Sequence, residues 1–181
     1  DINGDSLVTG ADFSIWADHF GEQVASDLTI TPGPGNGAPD RFEISRVGDR
    51  LEVTLNGQPF FRPYLGQLDR LRISGTNDAD TLLVDLAGGD LGIPLGLQFV
   101  GGGGIDSLEF RGTPGNDSLR VSVDAVWLGT TYVDYEHVES LTIEGAAGND
   151  TLMVSGALSV PIDFDGGLGY DTLDLEGGSF Q

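Results

Sequence analysis

Two spacings of apolar residues divide the chain. Near its start Phe13, Trp16 and Phe20 recur at three- and four-residue intervals, with Ile15 and His19 beside them and Gly21 after them, which predicts one short helix closed by a glycine cap. From Asp40 onward the spacing falls to two: FEIS, LEVTL, LRIS, LTIE and LDLE alternate apolar with polar residues between clusters of Gly, Asn and Asp. Such brief alternation, bounded by turn formers, predicts many short strands. Between the two regimes, TPGPGNGAP at 31–39 breaks helix and ladder alike, so 22–39 is expected to be a linker.

The β part matches itself. DRFEISRVGDRLEVTL from Asp40 corresponds to DSLRVSVDAVWLGTTY from Asp117, LDRLRISGTNDADTLLVD from Leu68 to VESLTIEGAAGNDTLMVS from Val138, and LQFVGGGGIDSLEFRG from Leu97 to IDFDGGLGYDTLDLEG from Ile162. The order is kept while the offset drifts through 77, 70 and 65 residues, as two copies of one unit with different loop lengths would show. The units are expected at 40–112 and 113–181.

A shorter phrase recurs within them: ISGTNDADTL at Ile73, FVGGGGIDSL at Phe99, FRGTPGNDSL at Phe110, IEGAAGNDTL at Ile143 and FDGGLGYDTL at Phe164. An apolar residue closes one strand, Gly and its neighbours supply the positive φ of a tight turn, Asp bonds its own turn amides, and Leu opens the next strand. That is one corner of a stacked array. A mainly β fold follows, a parallel β-helix or β-solenoid-like array of two tandem repeats, with a β-sandwich as the alternative. Asn56-Gly57 and Val47-Gly48-Asp49 signal hairpins that interrupt the parallel stack.

Charge narrows the partners. The chain has 29 Asp plus Glu against 8 Lys plus Arg, all eight Arg, for a formal charge of −21. Such a surface repels nucleic acid and anionic lipid and gathers cations, which would offset its self-repulsion. There is no cysteine, so disulfides and zinc thiolates are excluded. No apolar run reaches the roughly 20 residues that cross a bilayer, so membrane insertion is not expected.

DINGDSLVTGAD supplies oxygen ligands at the positions a calcium loop uses: Asp1, Asn3, Asp5, the Leu7 carbonyl, Thr9 and Asp12. Alternate carboxylates converge there because the loop winds around the ion; the bland alternative is a polar turn ahead of a helix. Residues 1–21 resemble a dockerin repeat, an EF-hand-like calcium loop running directly into a helix. Ser6 stands where that loop has Gly, and Gly10-Ala11 where cohesin-binding dockerins carry polar contacts, so a cohesin partner does not follow.

GGGGIDSLE from Gly101 and GGLGYDTLD from Gly166 resemble the repeats of RTX proteins, which implies calcium between stacked turns with Asp106 and Asp171 as candidate ligands. The phrases start 26, 11, 33 and 21 residues apart, unlike an unbroken nine-residue array. The competing reading makes Asp80, Asp106, Asp117, Asp150 and Asp171 turn residues that satisfy backbone donors. The β part as a whole is similar to GNDTL-repeat regions of large bacterial surface and secreted proteins, often of planctomycete type, where dockerin-like repeats also occur.

Other signals are weaker. The glycine run at Gly101 lacks the helix and Lys of a phosphate loop. His19 and His137 have no nucleophile partner, and the sequons at Asn116 and Asn149 fall inside corners. Trp127, Tyr132 and Tyr135 read as packing residues or as a sugar platform, and Asp163 with Asp165 as an acid/base pair if a groove held them. The function expected is a calcium-binding, non-enzymatic structural or adhesive module, secreted or at the cell surface. Its partners would be calcium, other surface modules or glycans, and the alternative is a polysaccharide-active or carbohydrate-binding β-helix. Because a ligand stands at residue 1 and Gln181 follows LEGG, both ends are expected to continue in a longer chain.

Overall fold

A computed structural model describes residues 27–32 and 37–177. The calcium loop and helix expected at 1–21 lie outside the described residues. The described chain is mainly β, with fifteen strands in two mixed sheets. They are β1 (Asp27–Ile30), β2 (Arg41–Val47), β3 (Arg50–Leu55), β4 (Gln58–Phe61), β5 (Arg70–Ser74), β6 (Thr81–Asp85), β7 (Leu97–Val100) and β8 (Ser107–Arg111). The second half adds β9 (Ser118–Val121), β10 (Ala125–Leu128), β11 (Thr131–Glu136), β12 (Ser140–Glu144), β13 (Thr151–Ser155), β14 (Ile162–Asp165) and β15 (Thr172–Glu176). One sheet runs β1-β5-β7-β11-β10-β9-β13-β15 and the other β14-β12-β8-β6-β2-β3-β4.

The internal match reappears as pairing. Each copy opens with an antiparallel triplet, β2-β3-β4 or β9-β10-β11, turned at the expected Gly48-Asp49 and Asn56-Gly57 in the first copy. Each then sends strands alternately to the two sheets, with β6 on β2 and β8 on β6 matched by β13 on β9 and β15 on β13, all parallel. A triplet followed by four single strands crosses between the sheets four times, and a fifth crossing leads from β8 into β9, so the second copy starts in the opposite sheet. The copies meet where β11 lies parallel on β7 and β12 parallel on β8.

Alternation fills the space between the sheets. Inward residues of both, among them Phe42, Ile44, Leu71, Ile73, Phe99, Leu108, Phe110, Leu141 and Ile143, are buried in one continuous core. Each strand is too short to bury its apolar side alone, and stacking in register builds columns such as Leu82-Leu108-Leu141 and Val84-Phe110-Ile143. On the outer face Arg111 sits in register between Asp85 and Glu144 and bonds both, at 3.1 and 2.6 Å.

Two expectations change. Asp27–Ile30, inside the stretch expected as linker, is strand β1: it pairs parallel with β5 and buries Ile30. Its DLTI alternation is as short as a real strand's, but the neighbouring Pro and Gly mask it. The glycine of the corner phrase serves a different purpose from the one its composition suggests. Gly75, Gly101, Gly112, Gly145 and Gly166 do not have positive φ. They are required by proximity, since a Cβ on Gly75 would lie 2.1 Å from the Gly101 carbonyl oxygen and 2.6 Å from the Asp80 carboxylate.

Gly75→Ala is therefore expected to cost about 3 kcal/mol, the upper end of the overpacking range. Gly129→Ala, at φ 61 with open space around it, should cost only the left-handed strain of about 1–2 kcal/mol. Urea unfolding of the two variants checks this; an equal or smaller loss at Gly75 would refute the steric reading.

Candidate functional site

The corner residues form two columns. On the passage from the eight-stranded to the seven-stranded sheet, Asp40, Asp80, Asp106 and Glu139 stand immediately before β2, β6, β8 and β12. The Asp40 amide donates to Asp80 Oδ1 at 2.9 Å, the Asp80 amide to Asp106 Oδ1 at 2.7 Å, and the Asp106 amide to Glu139 Oε2 at 2.7 Å. On the return passage the Asp117 amide donates to Asp150 Oδ1 at 2.8 Å and the Asp150 amide to Asp171 Oδ1 at 2.9 Å. Backbone bonds run the other way, Ser107 N–H to Asp80 O and Thr172 N–H to Asp150 O among them. Each rung is thus tied to the next at its corner by a carboxylate and a carbonyl.

Burial follows from the stacking: Asp80, Asp106, Asp117 and Asp150 are all among the buried polar residues. The second carboxylate oxygen divides the corners into two kinds. In the Asp80 and Asp117 corners a threonine follows the glycine, and Thr76 and Thr113 each donate both N–H and Oγ1–H to the carboxylate. In the Asp106, Asp150 and Asp171 corners that position is Gly102, Ala146 or Gly167, all in the left-handed region at φ 108, 79 and 85. The Asp150 corner shows the consequence, because its buried Oδ2 has no hydrogen-bond donor.

Asp106 is raised above its ordinary value of 3.8, first by burial and then by the neighbouring Asp80 and Glu139 charges, against the hydrogen bond from the Asp80 amide. A second clip, only partly buried, lies outside the corners. Asp90 accepts from Thr130 Oγ1 and Thr131 Oγ1 in the turn between β10 and β11, and from the Gly92 amide. Burial raises its carboxyl, but those hydrogen bonds outweigh it and hold Asp90 below the usual range.

The other expected sites separate. Asp1, Asn3, Asp5, Leu7 and Asp12 lie outside the described residues. Asp106 and Asp171 belong to different columns, and among the described residues no three Asp, Glu or His side chains gather as a metal-binding group. Asp163 and Asp165 are exposed on edge strand β14, with Asp165 Oδ1 accepting the Gly167 amide, so they are not enclosed by a groove. The sequon asparagines form a ladder of their own: Asn116 Oδ1 accepts the Asn149 amide and Asn149 Oδ1 the Tyr170 amide. Tyr135 points inward and donates to Ser122 O, its hydroxyl pushed up to about 12 by burial and Asp124. Trp127 and Tyr132 point outward and stack at 5.8 Å, with Arg120 and Met153 continuing the same row across the sheet.

Sequence reasoning found the five phrase aspartates and their turn role but missed the bond each makes to the neighbouring rung, which depends on strand register. It also missed the Glu139 corner, where His137 at φ 53 replaces a glycine and Glu an aspartate. The signal available was the match of VES at Val138 with LDR at Leu68.

The raised Asp106 carboxyl fixes a sign. The folded state holds its proton above the unfolded pKa, so this group's contribution is full below that value and is lost as pH rises through the folded one. Asp106→Asn keeps an oxygen for the Asp80 amide and removes the charge, so it should leave stability at neutral pH unchanged or higher. The gap to wild type should close as pH falls toward 3.8. Asp106→Ala should lose roughly 1–3 kcal/mol by orphaning a buried amide. Denaturation curves over this pH range decide it, and an Asn variant as damaged as the Ala variant would show that the charge is needed.

No family model matches this chain, and comparison with curated proteins and with solved structures finds no match either.

Proposed function

We propose that the chain is a calcium-binding, non-enzymatic structural or adhesive module of a large secreted or cell-surface bacterial protein, its β part a solenoid of stacked two-strand rungs. The observation that carries this reading is the use of the corner carboxylates. Five of them, in two columns, spend an oxygen on the next rung's backbone amide. A carboxylate so engaged supports stacking and is poorly placed to act as a general acid or base. Asp163 and Asp165 stand exposed on an edge strand and not in a groove that could hold a substrate between them.

Calcium belongs in this reading at the dockerin-like loop, where Asp1, Asn3, Asp5, the Leu7 carbonyl and Asp12 would hold it. Within the β part the donor set is thinner. Asp171 gives Oδ1 to a backbone amide, as Asp106 does, and the donor-free Oδ2 of Asp150 is the corner oxygen a cation would fit best. Bound calcium would offset the negative charge and favour the folded state by mass action.

Calorimetric titration of the full chain with calcium should show binding that Asp1→Ala with Asp5→Ala removes. Chelation should lower the melting temperature, as loss of about 2.7 kcal/mol would for an ion held at a hundred times its Kd. No binding heat and an unchanged melting temperature would sink the calcium part of the proposal.

The stacked Trp127 and Tyr132 favour a second reading, carbohydrate binding on the outer face of the eight-stranded sheet. Trp127, with Tyr132 stacked against it, borders an open depression lined also by Arg120, Gly129 and Met153, a setting in which a sugar ring can stack while a guanidinium bonds its hydroxyls. A glycan array should then show retained ligands that Trp127→Ala releases, and an array without binders removes this reading.

A further inference from the structure

We propose that the β14/β15 end of the stack is a docking surface for a second copy of this chain, engaged head to tail through that copy's β4/β5 end. The junction between the two internal units supplies the geometry. There β11 lies on β7 and β12 on β8. By the internal match β14 and β15 are the second-unit counterparts of β7 and β8, while β4 and β5 are the first-unit counterparts of β11 and β12. The junction can therefore be transposed residue by residue onto the end of one copy and the beginning of another.

The transposed partners fit. Leu173 and Leu175 take the places of Leu108 and Phe110, which the internal junction buries completely, yet they are 52% and 43% exposed. Leu71 and Ile73 of the second copy would cover them as Leu141 and Ile143 cover the originals. On the outer face Arg72 falls opposite Asp174. Arg62, the residue after Phe61, falls opposite Asp163, since Phe61 pairs with Val53 as Val133 pairs with Val126. The corner column also continues: the Asp171 amide occupies the place of the Asp106 amide, and Asp69 the place of its acceptor Glu139. Among the described residues neither the Asp171 amide nor the Asp69 carboxylate has a hydrogen-bond partner.

β1 occupies that slot within the chain. Leu28, Thr29 and Ile30 stand against Leu71, Arg72 and Ile73 where Leu173, Asp174 and Leu175 of another copy would stand. It supplies the apolar residues but places an uncharged Thr29 opposite Arg72. β15 would place Asp174 opposite Arg72 but Thr172 opposite Arg70, where β1 has Asp27, so the strand exchange itself is even in charge; what a second copy adds is β4 on β14, with Arg62 opposite Asp163. A tail-to-tail dimer is disfavoured, because it would bring Asp163, Asp165, Asp174 and Glu176 against themselves.

Sedimentation velocity of the full chain from low micromolar to millimolar concentration, at an ionic strength that screens the net charge, tests this. Mass should grow with concentration. Arg72→Asp and Asp174→Arg, both surface changes, should each weaken association roughly tenfold, the double swap should restore it, and Ile30→Ala, which loosens β1, should strengthen it. A monomer at every concentration, single variants that associate like wild type, or a double swap no better than either single would overturn the proposal. Those results would leave the structural-module reading standing, since it rests on contacts within one chain.

Discussion

A backbone amide that turns a corner inside a protein must find an acceptor, and at these corners the acceptor comes from the neighbouring rung. Strand ladders satisfy their own amides, but the residue just before each strand lies beyond the ladder. Asp80, Asp106, Asp150, Asp171 and Glu139 each lend it one carboxylate oxygen. The other features of the stack follow from that demand. Asp80, Asp106 and Asp150 are drawn in to near-complete burial, the preceding glycine must stay small to admit them, and the strands are held in a register that lines up the apolar columns. A hydrogen bond to a charged acceptor contributes about 1.5–3 kcal/mol, so a column of them rivals a substantial part of the core in holding the rungs together.

Much of this was legible from the chain. The two-residue alternation located the strands after Asp40, and Asn56-Gly57 with Gly48-Asp49 gave the hairpins. The phrase ending in Asp, Ser or Thr, and Leu located five corners. What escaped has identifiable physical causes. β1 has only four residues beside Pro and Gly, too few for its alternation to stand out. The purpose of Gly75 and its equivalents depends on a carbonyl one rung away, that of Gly101, twenty-six residues on, in the case of Gly75. The cross-rung bonds depend on register, which no single strand encodes. Among the site residues, the outward stacking of Trp127 on Tyr132 and the inward burial of Tyr135 were separable only once β10 and β11 were paired. The calcium loop at Asp1 to Asp12 lies outside the described residues and stays a sequence reading.

The charges show the same economy on the outer surface. Arg111 is shared by Asp85 and Glu144 in adjacent strands, and Arg41 reaches Glu109 across the sheet at 2.6 Å. Other arginines turn to neutral partners: Arg46 donates to the Gly48 and Asp90 carbonyls, and Arg50 donates to the Arg62 carbonyl and lies over the Tyr64 ring. Acids without an arginine opposite collect on β14 and β15, the edge strands of the two sheets among the described residues.

The fifth crossing, which leads from one unit into the next, has a geometric result. Because the second triplet begins in the sheet opposite the first, the hairpin tips of successive units emerge on alternate sides of the stack. An array grown from such units would resemble a stem with leaves set left and right in turn, and decoration carried by one hairpin would never shadow the next along the same side.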